Sequence, residues 1–339
     1  MKDRLKKILK YALSVFLAAI FLWFSFREVE WADFFAGLKE CRWGWVLLSM
    51  SLGAFAFWLR SLRWHQLLSP IDSSITRLTA FNGINIGNIS NFVFPRIGEF
   101  VRCGVITRRS KPLSPSQPDV RKASYEKVLG TVVLERGWEL LVMLLMLALV
   151  LLFGFERFGQ FFVERIWVPM ALKFGSNIWW GVLALAAAGV AGVYMVWHFR
   201  DSNTFCRKVW GVARGVGQGF SSCLKMDRKW LFFAYTALIW LIYWSMAAAT
   251  VKAAPFLDNL DLVDALFLSL VGGLGFAVPV PGGIGAFHFI ISMTLSAMYG
   301  VPVELGVVYA TLSHTSQAIT QIVFGLGSYG YETVIGRRK

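Results

Sequence analysis

Residues 8–26 read ILKYALSVFLAAIFLWFSF, 19 residues whose only charge is Lys10. As a helix rising 1.5 Å per residue, such a segment covers about 29 Å, the thickness of a bilayer's hydrocarbon core. Comparable apolar stretches recur at 44–59, 128–153, 178–199, 230–251 and 305–331. Lipid offers no hydrogen bonds, so repeated crossings of this length have to be helices that satisfy their own backbone groups. Composition agrees. Apolar residues make up 56% of the 339 and charged ones 16%, against about 45–50% and about 25% in soluble domains. A soluble globule, a disordered chain, a collagen and a coiled coil are all excluded. The expected fold class is all-α: a polytopic integral membrane helix bundle forming a single domain over 1–339. The first span has the basic start of a signal peptide (Lys2, Arg4, Lys6, Lys7, Lys10), but it is long enough to cross and lacks a small-residue cleavage site, so a retained helix is expected.

The net charge of +14 has the look of a nucleic-acid binder until it is mapped. Alternating sides along the spans puts 27 of the 34 Lys and Arg on one side, leaving Arg27, Lys39, Arg42, Arg157, Arg165, Lys173 and Lys252 on the other. The positive-inside rule then places both termini in the cytoplasm, in the cytoplasmic (inner) membrane. The basic residues set topology, with anionic lipid as their default partner, and no nucleic acid is expected. Trp31, Trp43, Trp45, Trp179, Trp180 and Trp230 stand near span ends, where amphipathic rings settle.

Two apolar stretches do not read as simple crossings. Residues 78–107 are interrupted at Pro95, and 265–299 at VPVPGGIG, residues 278–285. The first has basic loops on both sides, so a re-entrant hairpin entering from the cytoplasm is expected. The second is a hairpin from the outside or two crossings. Allowing one insertion, both breaks read apolar, Pro, x, Ile-Gly, x, Phe. Paired Gly/Pro-broken segments are the signature of a binding site between inverted repeats; chance similarity of two breaks is the competing reading. Irregular backbone at membrane depth has to line a cavity or lie buried in protein.

The polar residues at depth cluster near these breaks. Arg96, Glu99 and Arg102 are spaced by three on the returning limb, and Glu99 can pair with either arginine. The set leaves one spare positive charge, which suits a phosphate gripped by a guanidinium fork; snorkelling at the interface is the alternative. Asn82, Asn85, Asn88 and Asn91 form a ladder that cannot face lipid. It either lines a polar path or ties helices together, with Asn91 nearest the tip. Glu135, Arg136 and Glu139 lie on one span, where Arg136 reaches Glu139 at i,i+3. They are either a structural ion pair or a counter-charge for the arginines. Gly282, Gly283 and Gly285 permit a tight turn with exposed N–H groups, either an anion nest or close helix packing. His288 follows the turn directly, and His314 lies on the last span; each is a proton carrier or a packing group.

No Walker A, H-E-x-x-H or G-x-S-x-G sequence occurs, so neither a motor nor a familiar hydrolase is expected. No cofactor and no metal site is expected: Asp258, Asp261 and Asp264 suit a helix start. Cys41, Cys103, Cys206 and Cys223 are scattered, without a disulfide or zinc pattern.

Asn91-Phe-Val-Phe-Pro-Arg96-Ile-Gly-Glu99-Phe-Val-Arg102, then Glu135-Arg136, then Pro281-Gly-Gly-Ile-Gly285, taken in this order over most of the chain, resemble the transmembrane region of lysylphosphatidylglycerol synthases, a flippase-like family. In its bifunctional members this region is thought to move aminoacylated phosphatidylglycerol between leaflets, while a separate soluble domain transfers the amino acid. Residues 1–339 are not expected to include such a domain, so the resemblance implies no lysyltransferase activity for them. Other relatives accompany polyprenyl-linked sugar or hopanoid pathways. The chain departs from the family pattern at His288, where an acidic residue is usual, and at Glu139, where Asp is common.

The resulting expectation is binding and transbilayer movement of an anionic phospholipid, aminoacyl-phospholipid or polyprenyl-linked lipid. The headgroup would be held by Asn91, Arg96, Glu99, Arg102, Glu135, Arg136, Glu139, Gly282, Gly283, Gly285 and His288, with no catalytic residue. The alternatives are a membrane-embedded lipid transferase using Glu99 or His288 as base, and a non-catalytic subunit that works with envelope-biosynthesis proteins.

Overall fold

The computed structural model describes residues 2–27, 29–114, 117–160, 163, 164, 168, 172, 175, 177–221, 226 and 228–337. Cys223, Arg165 and Lys173, named above, lie outside the described residues, as does the side chain of Trp179. The chain is all-α apart from one short β ladder, and it divides into two compact units: Met1–Tyr125 with Lys225–Lys339, and Glu126–Leu224.

In the first unit, α1 (Lys2–Phe26) is followed by α2 (Trp31–Glu40), bent 86° from it, and by α3 (Trp43–Leu68). Next come α4 (Arg77–Val93) and α5 (Gly98–Arg109). Strands β1 (Pro112–Ser114) and β2 (Gln117–Arg121) then pair antiparallel, with Pro112 opposite Arg121. After the second unit, the chain resumes with α9 (Lys229–Ala253), α10 (Leu262–Gly275), α11 (Ala286–Tyr299) and α12 (Val303–Arg337). In the second unit are α6 (Tyr125–Phe153), α7 (Asn177–His198) and α8 (Thr204–Ser221). Among the described residues, Trp43–Leu68, Tyr125–Phe153, Lys229–Ala253 and Pro281–Tyr299 are long and apolar enough to cross a bilayer. The bent pair α1–α2 is a fifth such stretch.

The bundle of the first unit is built on α3 and α9, which run against each other. Ala56, Leu59, Ile239 and Ile242 close their seam. Apolar packing is not the whole of it, because lipid tails compete equally for leucine. Ser49 Oγ and Thr250 Oγ1 lie 3.2 Å apart, and Gln317 Nε2 donates to the Ser49 carbonyl at 3.3 Å, so hydroxyls and an amide tie α3, α9 and α12 together. Helix α3 continues to Leu68, beyond the stretch expected from hydropathy, and carries Arg60 and Arg63 into the interior, both buried. The charge count treated these two as loop residues; the structure makes them part of the bundle.

Outside the spans, carboxylates do structural work. Asp72 accepts from Ser110 Oγ (2.6 Å), the Lys111 amide (3.1 Å) and Ser74 (amide 2.9 Å, hydroxyl 2.7 Å), which fastens the α3–α4 loop to the end of α5. Burial alone would raise its pKa; these four hydrogen bonds outweigh that and hold it below the usual carboxylate range. Asp261 caps α10 through the amides of Val263 and Asp264, while Asp264 returns a bond to the Asp261 amide. Asp264 also accepts from the Tyr299 hydroxyl at 2.7 Å, joining the start of α10 to the end of α11. Asp258 pairs with Arg42 through both oxygens, at 2.8 and 2.6 Å, and this hydrogen-bonded guanidinium holds the carboxyl below its ordinary pKa. The three aspartates are thus capping and pairing groups.

Candidate functional site

Both broken stretches fold as helix, turn, helix. Limbs α4, α5, α10 and α11 have 17, 12, 14 and 14 residues. At 1.5 Å per residue they are about 18–26 Å long, and α11 reaches spanning length only when its turn is counted with it, as Pro281–Tyr299. The first hairpin closes on glycine. The backbones of Gly87 on α4 and Gly98 on α5 are in contact, so close that a Cβ on Gly98 would overlap the Gly87 carbonyl. Asn91 Oδ1 accepts from the Gly98 amide at 2.7 Å, supplying α5 with a cap from the limb before it. The last Asn of the ladder therefore closes the hairpin.

The two turns share a backbone device. Each proline is followed by a residue in the left-handed region: Arg96 at φ 58° after Pro95, and Gly282 at φ 59° after Pro281. For glycine this is free; for arginine it costs about 1–2 kcal/mol. Arg96 is the sole non-glycine residue in that region among the described residues. Gly283 (φ 77°) and Gly285 (φ 82°) complete the second turn, with the Phe276 ring over Gly283 and the α1 backbone at Ala18 and Leu22 against Gly285.

The tips meet. The Phe92 ring occupies the space where Gly282 would carry a Cβ, and Arg96 Nη2 donates to the Ala277 carbonyl at 2.8 Å. Behind this junction His314 Nε2 lies 2.9 Å from the Gly282 carbonyl. Its ring stacks on Phe276 and stands 5.0 Å from the ring of His288, centre to centre. Both histidines are buried, and His288 Nδ1 has no hydrogen-bond partner among the described residues. Arg96 itself is exposed.

Six of the expected site residues thus gather where the tips join: Asn91, Arg96, Gly282, Gly283, Gly285 and His288. Glu99 lies in the first turn of α5 and Arg102 in the second. Arg102 is 2% exposed, with its guanidinium carbon 4.7 Å from the centre of the buried Trp64 ring, a cation–π contact. Glu135, Arg136 and Glu139 belong to α6 in the second unit. There Arg136 Nη1 pairs with Glu139 Oε2 at 2.8 Å, and Glu135 is buried.

Arg63, Arg109 and Glu332 were not singled out from sequence. Arg63 Nη1 donates to Thr236 Oγ1 at 3.3 Å. Arg109 Nε pairs with Glu332 Oε2 at 2.7 Å, and Asn82 Nδ2 donates to Glu332 Oε1 at 2.9 Å, which pins α12 to α5 and α4. Asn85 is wholly buried on α4, with neither amide atom partnered among the described residues. The asparagine ladder divides: Asn82 and Asn91 tie helices, and Asn85 does not.

Broken half-helices meeting tip to tip, in a bundle with buried arginines and several spanning-length apolar helices, define a polytopic membrane protein. The sequence model of the lysylphosphatidylglycerol synthase TM region matches residues 9–325. The chain belongs to that family of lipid-handling membrane proteins. No curated protein and no solved structure matches it.

Proposed function

We propose that the chain binds the phosphate of an anionic membrane lipid at the joined tips and carries that lipid between leaflets. The observation that carries this reading is Arg96. It holds a costly left-handed conformation, and an observed backbone outlier of this kind is a pointer to function. Its one described partner is the Ala277 carbonyl, which takes one of five guanidinium donors. The remaining donors are exposed, and a phosphate accepts two of them in parallel. Arg102 on α5 adds positive potential, and Glu99 limits the net charge. The common turn after Pro95 and Pro281 supports reading the two hairpins as inverted repeats around this site. The charge distribution supports an inner-membrane location with cytoplasmic termini.

The test is leaflet exchange in vesicles containing the purified chain, read with a fluorescent phosphatidylglycerol analogue. Wild type is expected to speed exchange over protein-free vesicles. Arg96→Ala is expected to fall to the protein-free rate, a loss of at least tenfold, while eluting as a folded monodisperse species. Exchange at the wild-type rate in Arg96→Ala would remove the proposed role. New lipid product formed by the chain alone would replace transport by transferase chemistry.

A further inference from the structure

Helix α8, Thr204–Ser221, in the second unit, has a different character from the spanning helices. Its sequence TFCRKVWGVARGVGQGFS places Phe205, Val209, Val212 and Val216 at spacings of four, three and four, one stripe of a helix. Arg207, Gly211, Arg214 and Gln218 follow the same spacing on the opposite stripe. Too polar on average to cross a bilayer, the helix still has an apolar stripe to cover. The protein does not cover it at its start: Phe205 is 71% exposed.

The approach to α8 fixes where it begins. Helix α7 exposes apolar side chains along its length, among them Val190, Val193 and Met195; Tyr194, Trp197 and His198 stand at its end, and Phe199 and Arg200 follow directly. An aromatic cluster followed by a cation is the composition of a span end at the membrane interface. The Arg200 guanidinium carbon lies 5.1 Å from the Trp197 ring centre and 5.6 Å from that of Trp210, so one cation bridges the end of α7 and the second turn of α8. Asn203 Oδ1 caps the new helix by accepting from the amides of Phe205 (2.8 Å) and Cys206 (3.3 Å). α8 therefore starts at the level where α7 leaves the hydrocarbon.

We infer that α8 is an interfacial helix that binds an anionic phospholipid surface. Its Phe205–Val209 stripe enters the acyl boundary, and Arg207 and Arg214 face the phosphates. Charge decides the occupant. The exposed polar stripe is basic at Arg207 and Arg214, so a second copy of the same face would be repelled, whereas an anionic headgroup layer attracts it. The inference does not depend on lipid movement at the joined tips.

The experiment uses the full chain, cysteine-depleted, in vesicles of phosphatidylcholine with or without phosphatidylglycerol. A spin label is placed at Phe205→Cys or Arg214→Cys. With phosphatidylglycerol present, the label at 205 is expected to show high oxygen and low nickel-chelate accessibility, and the label at 214 the reverse. Adding Arg207→Gln to the 205-labelled protein is expected to lower its preference for the anionic vesicle by about fivefold, and Arg207→Lys to restore most of it. A 205 label reached by the nickel chelate in both vesicles would overturn the inference. So would a 205 label shielded from both reagents, because that result puts a protein on this face.

Discussion

The two helix breaks begin with the same move and finish differently. After Pro95 the chain places an arginine in the left-handed turn, and after Pro281 a glycine, at nearly the same φ. At the second break a side chain is impossible, because the Phe92 ring fills that space and Phe276 and the α1 backbone crowd Gly283 and Gly285. At the first break the side chain is free to leave, and it reaches across to the Ala277 carbonyl. One break is a packed socket and the other presents a charge. Arg96 endures a conformation that glycine would take at no cost, and in the proposed reading the guanidinium it presents there is the reason.

The contacts that let the tips meet are the most sensitive to substitution. Gly98→Val pushes a side chain into the Gly87 backbone, and no neighbouring side chain can yield. A loss of about 3 kcal/mol or more is expected, at or above the upper range for overpacking, read as a fall in thermal unfolding temperature in detergent and in expression. Gly282→Ala is expected to cost about 1–2 kcal/mol for its positive φ, with the Phe92 contact adding to it. Phe92→Ala in the same chain is expected to relieve the steric part alone, so a double-mutant cycle separates the two. Asn91→Ala leaves the Gly98 amide unsatisfied and is expected to cost about 1 kcal/mol.

A further test sharpens the distinction between the breaks and their anchoring loops. Asp72 titrates lower in the folded chain than in the unfolded one. The stability it contributes is therefore complete above the ordinary aspartate pKa, near 4, and is lost as pH falls through the lowered folded value. Wild type is expected to lose more stability between pH 5 and pH 3 than Asp72→Asn, measured by thermal scans across that range. The smallest effect is expected at Arg42–Asp258: an exposed pair, it should change little on Asp258→Asn and less still in high salt.

Much of this junction was legible in the sequence because Gly and Pro punctuate apolar segments for backbone reasons that do not depend on tertiary context. Pro95 and Pro281–Gly285 marked the turns, and Asp261 with Asp264 marked a helix start. What stayed hidden depends on partners far away in the chain. Glu332 meets Arg109 across 223 positions, and neither residue's neighbourhood announces the other. Arg60 and Arg63 end a hydropathy window and so read as loop, although the helix continues and buries them. Helix α2 carries polar residues along with its aromatic ones and falls below any span criterion; its 86° bend from α1 has no local signal beyond the short link between them. Asn91 stands close before Pro95 in the sequence, but its bond to Gly98 needs the hairpin to be closed.

The most direct measurement on Arg96 is native mass spectrometry of the purified chain, comparing wild type with Arg96→Ala and Arg96→Lys. The account predicts that wild type retains one anionic lipid class, that Arg96→Ala loses it, and that Arg96→Lys keeps a reduced share, since an ammonium replaces the charge but not the fork. The same lipids in the same amounts on all three proteins would contradict a headgroup site at the joined tips.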